Sequence, residues 1–168
     1  MTLNWLKLLF DYNYWAHGRM LEAMREMPPE KLTRDLGHSW GTPKATLVHM
    51  LAAERLWRER CRGNSPRALL DPDSFDGLEE IRARWKQDEA EMRAFVEGLA
   101  EAELDLVISY TTLAGAPKED RLGDLMFHVL NHSTHHRGEL AAMLTLLEVP
   151  HPEDDLIFYL REIQPFRE

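Results

Sequence analysis

The sequence predicts an all-α protein: an up-down-type four-helix bundle formed by one domain spanning residues 1–168. Three observations lead there. Four long segments carry apolar residues at helical spacing, alternating strand-like patterns are scarce, and proline, glycine and acidic turn residues break the chain between segments. At 168 residues the chain can bury a core without covalent staples, and 44% hydrophobic with 29% charged residues is a globular composition.

The first helix is expected from about Leu3 to Met27, where Pro28 and Pro29 stop it. Its inward row reads Leu6, Phe10, Asn13, His17, Met20 and Met24, so two polar residues interrupt an apolar stripe. The second opens at Thr42-Pro43, a side-chain cap followed by proline at the first helical position, and runs to about Cys61. Its stripe is Ala45, His49, Ala52, Ala53, Leu56 and Trp57. Residues 64–76 read as a loop. A third helix follows from Gly77 or Leu78 to Leu99, with Ile81, Trp85, Met92, Phe95 and Leu99 on one side. The β-branched and aromatic run from Leu106 to Pro117, turning at Gly115, predicts a short extended segment or hairpin. The fourth helix covers about Leu122 to Leu147, ended by Val149-Pro150, and a short fifth one runs from Asp154 to Ile163. No repeat, linker or low-complexity tract is visible.

Charge and composition remove several functional classes. A net charge of −9 with no Lys/Arg run argues against a nucleic-acid binder, whose affinity comes largely from neutralising phosphates. No stretch approaches the roughly 18 apolar residues that cross a bilayer, and the N-terminus lacks the basic start and apolar core of a signal peptide. Cys61 is the only cysteine, which excludes an internal disulfide and a cysteine-based zinc site and fits a reducing cytoplasm.

The chemistry concentrates in the fourth helix. Residues His128 to His136 hold four of the chain's eight histidines. His128, His132 and His136 follow at i, i+4 and i+8, so at about 100° per residue they drift only about 40° per step along one face. That face also carries Leu122, Leu125, Val129, Leu140, Met143 and Leu147, and inward imidazoles need partners because unsatisfied buried polar groups are costly. A transition metal is the simplest partner, with His49 as the third ligand. By spacing, His128/His132 and His132/His136 are equivalent pairs. His135 points about 100° away from His136 and is expected to face solvent. Arg137 is expected on the surface, and His38 and His151 in solvated loops.

His49 within Thr46-Leu-Val-His49-Met-Leu-Ala-Ala-Glu54-Arg-Leu-Trp57, together with Asn131-His132-Ser-Thr-His-His136-Arg137-Gly138-Glu139, resembles the DinB/YfiT-like superfamily. So do Tyr12-Asn-Tyr-Trp15-Ala near the start and Asp155-Leu-Ile-Phe-Tyr-Leu-Arg161-Glu near the end. The resemblance implies a four-helix bundle holding a divalent metal, most often nickel or zinc with iron or manganese as alternatives, on His49, His132 and His136. It also implies a homodimer. Two positions depart from the resembled pattern: Glu139 stands where Gln is usual, and His17 where Asn is usual.

Three neutral imidazoles leave a coordination position open, where a cation can stabilise an anion formed on water or a thiol. Members of the resembled family include enzymes that activate low-molecular-weight thiols. The expected function is therefore a metal-dependent thiol transferase acting on small electrophiles, with Glu139 as candidate catalytic group and Asn13 and His17 as candidate substrate-pocket residues. The alternative is a stress-associated metal-binding protein without turnover. A di-iron carboxylate bundle is disfavoured, because it needs two Glu-x-x-His helices and only His136 and Glu139 offer the ingredients, in reversed order.

Overall fold

Thr2 opens the first helix, α1 (Leu3–Ala23), its hydroxyl oxygen accepting from the Trp5 N–H at 3.4 Å. The computed structural model describes residues 2–37 and 39–163. His38, expected in a solvated loop, lies outside the described residues. α1 ends at Ala23, four residues short of the expected Met27, with turns at 24–26 separating it from the prolines, and Pro29 instead occupies the first turn of the four-residue α2 (Pro29–Leu32). Thr42 caps α3 (Pro43–Cys61), accepting from the Ala45 N–H at 3.0 Å. Next come α4 (Leu78–Glu97), a hairpin of β1 (Val107–Thr111) and β2 (Pro117–Arg121), α5 (Leu122–Leu146) and α6 (Leu156–Ile163). Short 3₁₀ turns at Pro72–Ser74 and Glu101–Asp105 flank α4.

The hairpin extends further than its sequence pattern shows. Val107 pairs with Arg121 and Thr111 with Pro117 in antiparallel register, so β2 is the stretch Pro117-Lys-Glu-Asp-Arg121. Every residue of β2 is exposed, so it has no apolar alternation by which to recognise it. Gly115, at φ 87°, supplies the left-handed residue that the connecting turn requires.

The helices α1, α3, α4 and α5 form the bundle, with α3 and α5 the most extensively packed pair. Its core is divided. One apolar cluster gathers Met20, Met24, Leu47, Leu51, Ile81, Trp85, Leu140 and Leu144. The other gathers Leu6, Phe10, Met92, Val96, Leu125, Met126 and Val129. Along all four helices the residues between these clusters are buried and polar: Asn13 and His17 on α1, Glu54 and Arg58 on α3, Asp88 on α4, Ser133 and Arg137 on α5. Such a layer is costly to bury unless its members satisfy one another. Arg58 does so by donating to Asp88 Oδ1 at 2.9 Å and to the Asp88 carbonyl at 3.1 Å.

Arg137 overturns the surface expectation. It is 2% exposed, and its guanidinium donates to Asn13 Oδ1 at 2.6 Å, the Tyr12 hydroxyl at 3.0 Å, Thr134 Oγ1 at 3.1 Å and Asp154 Oδ2 at 3.2 Å. The reason is tertiary. Tyr12 and Tyr159 pack at 5.9 Å where α6 lies on α1, and the segment leading into α6 brings Asp154 over the end of the Arg137 side chain.

Candidate metal centre

His49 comes from the middle of α3, and His132 and His136 from successive turns of α5. His132 Nε2 lies 3.2 Å from His49 Nε2 and 3.2 Å from His136 Nε2. The ring centroids are 4.4 to 5.0 Å apart, so three imidazoles close on one point. The stripe lies at the edge of the buried face rather than in its centre. His136 is buried, His49 and His132 are half-buried, and His128 is exposed. The site is therefore partly exposed to solvent.

Proton bookkeeping shows what the cluster lacks. His136 Nδ1 is 2.6 Å from Glu139 Oε2. A carboxylate only accepts, so Nδ1 carries the proton and Nε2 of the neutral ring presents a lone pair to the centre. His132 Nε2 would then have to serve both neighbours, yet a neutral ring carries a single proton. Three converging nitrogens are better satisfied by one cation. The spacing agrees: ligands at about 2.0–2.1 Å in a tetrahedron would be separated by about 3.3–3.4 Å. Burial and the neighbouring positive rings push His132 down to about 4, and burial with His136 does the same to His49, also to about 4. These shifts keep His49 and His132 unprotonated at neutral pH, the state a metal requires.

The surroundings hold the donors in place. Trp40 stacks on His49, ring centroids 3.9 Å apart and planes 20° from parallel. The loop that carries Trp40 passes through left-handed backbone at Gly37, Ser39 and Gly41. Ser39 donates a short hydrogen bond to Glu139 Oε2, and His135 Nε2 approaches Glu139 Oε1 at 3.2 Å. Burial raises the Glu139 carboxyl, but the Ser39 and His136 hydrogen bonds outweigh it and hold the group below its ordinary range. Glu139 thus braces His136 and is poorly suited to act as a strong base.

Other sequence candidates fall elsewhere. His128 packs edge-on against Trp57 at 5.0 Å and lies outside both groups of side chains that could hold a metal, His49/His132/His136 and His135/His136/Glu139. His135 is exposed, packs edge-on against His136 with ring centroids 4.9 Å apart, and lies 3.2 Å from Glu139 Oε1. His151 is also exposed, beside Thr145 Oγ1 at 3.0 Å. Asn13 sits one layer deeper, between Arg137 and Glu54, donating to Glu54 Oε2 at 3.5 Å. His17 is buried against Trp85 and Tyr14 and also lies outside both metal-competent groups.

Several features escaped sequence reasoning. Ser39 and Trp40 lie in a loop, where no periodicity marks them as neighbours of a helix. Glu54 is buried with its carboxyl pushed up to about 7 by desolvation, and the Tyr14 hydroxyl donates a short bond to it. Its sequence signal is a carboxylate directly after Ala52 and Ala53 on a helix whose other members there are mostly buried.

The family model described as DinB family matches residues 1–165. The chain belongs to the DinB family. A curated relative, Protein DinB of Bacillus subtilis, is 23% identical over 143 residues, covering 81% of this chain and 82% of that one. The crystal structure of a DinB-like protein from Bacillus cereus matches with a TM-score of 0.60 at 16% identity, covering 85% of this chain and 91% of the other. The likeness to that structure speaks for the fold, the mainly helical bundle already described. No described helix is long and apolar enough to cross a membrane.

Proposed function

We propose that this DinB-family protein is a metal-dependent thiol transferase acting on small electrophiles, with His49, His132 and His136 holding the metal. The observation that carries the reading is the convergence of three imidazoles on a partly exposed face, with His132 Nε2 3.2 Å from both His49 Nε2 and His136 Nε2 and the His136 tautomer set by Glu139. The all-imidazole donor set suits zinc or nickel over calcium or magnesium, which prefer oxygen, with iron and manganese as lesser candidates. When bound, such an ion supplies Lewis-acid stabilisation to an anion in its open position.

The chain does not bring its own sulfur nucleophile. Cys61 is buried, and desolvation pushes its thiol up to about 12. The thiol therefore comes from solution as a low-molecular-weight co-substrate. Its sulfur bonds to the electrophilic carbon as the bond from that carbon to its leaving group breaks; the leaving group departs with the electron pair and takes a proton from solvent, and the thiol's proton passes to solvent because Glu139 is already occupied by Ser39 and His136. That occupation also favours a second reading, a metal-binding protein without turnover. We also propose a homodimer, supported by the exposed Trp5 and Phe127.

Metal analysis of the purified protein followed by a thiol-consumption screen tests the reading. Thiol loss in the presence of a small electrophile should require the metal and should vanish in His49→Ala. A fully loaded protein that consumes no thiol across a broad electrophile panel would leave the non-catalytic reading standing.

A further inference from the structure

Two of the three proposed ligands are supported in different ways. His136 Nδ1 donates to Glu139, whereas His49 Nδ1 is sealed from solvent and has no hydrogen-bond partner among the described residues. A metal-binding imidazole normally passes its other N–H to a carboxylate, a carbonyl or water, and that acceptor strengthens the ring as a donor. What lies against His49 is an indole instead. Trp40 covers one face of the ring, centroids 3.9 Å apart and planes 20° from parallel. His132 and His136 meet the same ring at 50° and 80°, so neither lies flat on it.

The loop is built to present that indole. The Leu36 N–H donates to the Gly41 carbonyl at 2.8 Å, the Gly37 N–H to Asp35 Oδ1 at 2.9 Å, and Ser39 to Glu139. Gly41, at φ 83°, permits the tight path, since a Cβ there would lie 3.3 Å from Asp35 Oδ1. Trp40 is 48% exposed and belongs to none of the apolar clusters. Its contact with His49 is therefore not a by-product of core packing.

We propose that Trp40 is a positioning residue for His49 that supports the metal-bound ring electronically, in the place that Glu139 holds behind His136. This rests on the three-histidine reading. An imidazole that has given its Nε2 lone pair to a cation carries part of the positive charge. The face of an aromatic ring is negative, and that of indole attracts cations most strongly. The stack thus favours the loaded ring over the empty one. Because Nδ1 is sealed, water cannot supply the same support.

The test separates electronics from shape. Uniform replacement of tryptophan by its singly, doubly and triply fluorinated analogues withdraws electron density from the indole face while nearly keeping its size. Zinc affinity is read by competition with a chromophoric chelator. It should fall stepwise along the series, by about tenfold in all, and Trp40→Leu should lose a similar factor with helicity retained. Trp40→Phe should fall between wild type and Trp40→Leu, and fluorination in that variant should change nothing further. If Trp40→Leu disturbs the loop, the fluorinated series alone carries the test. A flat series, or a trend that survives in Trp40→Phe, would overturn the proposal. Full binding in His49→Ala would overturn the three-histidine reading and this inference together, whereas a flat series in a protein that needs His49 overturns this inference alone.

Discussion

Glu139→Gln isolates the charge behind the metal-facing tautomer of His136. The His136 Nδ1–H donates to Glu139 Oε2 at 2.6 Å, a short, charge-assisted hydrogen bond. Hydrogen bonds to charged groups contribute about 1.5–3 kcal/mol and neutral ones about 0.5–1.5 kcal/mol. Glutamine can still accept from Nδ1–H through its amide oxygen, so the variant keeps the tautomer and loses only the charge. The difference, about 1–1.5 kcal/mol, is about tenfold in dissociation constant. Ser39 and His135 share the carboxylate and its side chain is 26% exposed, which places the effect at the lower end of that range. Glu139→Ala removes the acceptor altogether and should approach about a hundredfold, the upper reach of changes behind a ligand. The assay is competition with a chromophoric chelator at pH 7, using zinc and nickel in turn. Affinity in Glu139→Gln equal to wild type, or tighter, would refute the claim that the carboxylate supports the bound cation through His136.

Four further outcomes follow from the same structure. Replacing His49, His132 or His136 with Ala should abolish stoichiometric metal binding by isothermal titration, whereas His128→Ala should leave it nearly intact; full binding in His49→Ala would discard the α3–α5 site. A bound metal at a thousandfold excess over its dissociation constant should stabilise the fold by about 4 kcal/mol, raising Tm by about 10 °C for a chain of this size. Chelation should nevertheless leave the far-UV helical signal in place, because the two apolar clusters do not depend on the metal, and collapse of that signal would contradict this. Glu54, fully buried, is pushed up from 4.5 to about 7, so the folded state prefers its protonated form. Its contribution is fully present below pH 4.5 and is lost as pH rises through about 7, amounting to at most about 3 kcal/mol. Glu54→Gln should therefore gain stability relative to wild type between pH 5 and pH 8 by about 2–3 kcal/mol in urea titrations. A pH-independent difference would show that Glu54 is ionised throughout.

The parts of this protein legible in its sequence are those that depend on local geometry. Helix periodicity and the Thr42-Pro43 start mark α3 to within a residue, because a cap and its helix are a few residues apart in the chain. His132 and His136 share a face for the same reason: the i, i+4 offset is a property of one helix. Tertiary structure decided everything that needed two elements at once. Spacing leaves His128/His132 and His132/His136 equivalent, and the resemblance to a known family chose between them. The structure brings His132 and His136 to His49 through the α3–α5 contact and sets His128 against Trp57. Arg137 reads as a surface residue until Asn13, Tyr12 and Asp154, all distant in sequence or on other elements, surround it. The strand β2 has no pattern of its own and exists because β1 offers it backbone partners. A helix encodes its own face in its spacing, but its rotation against its neighbours is set by side chains on every helix together.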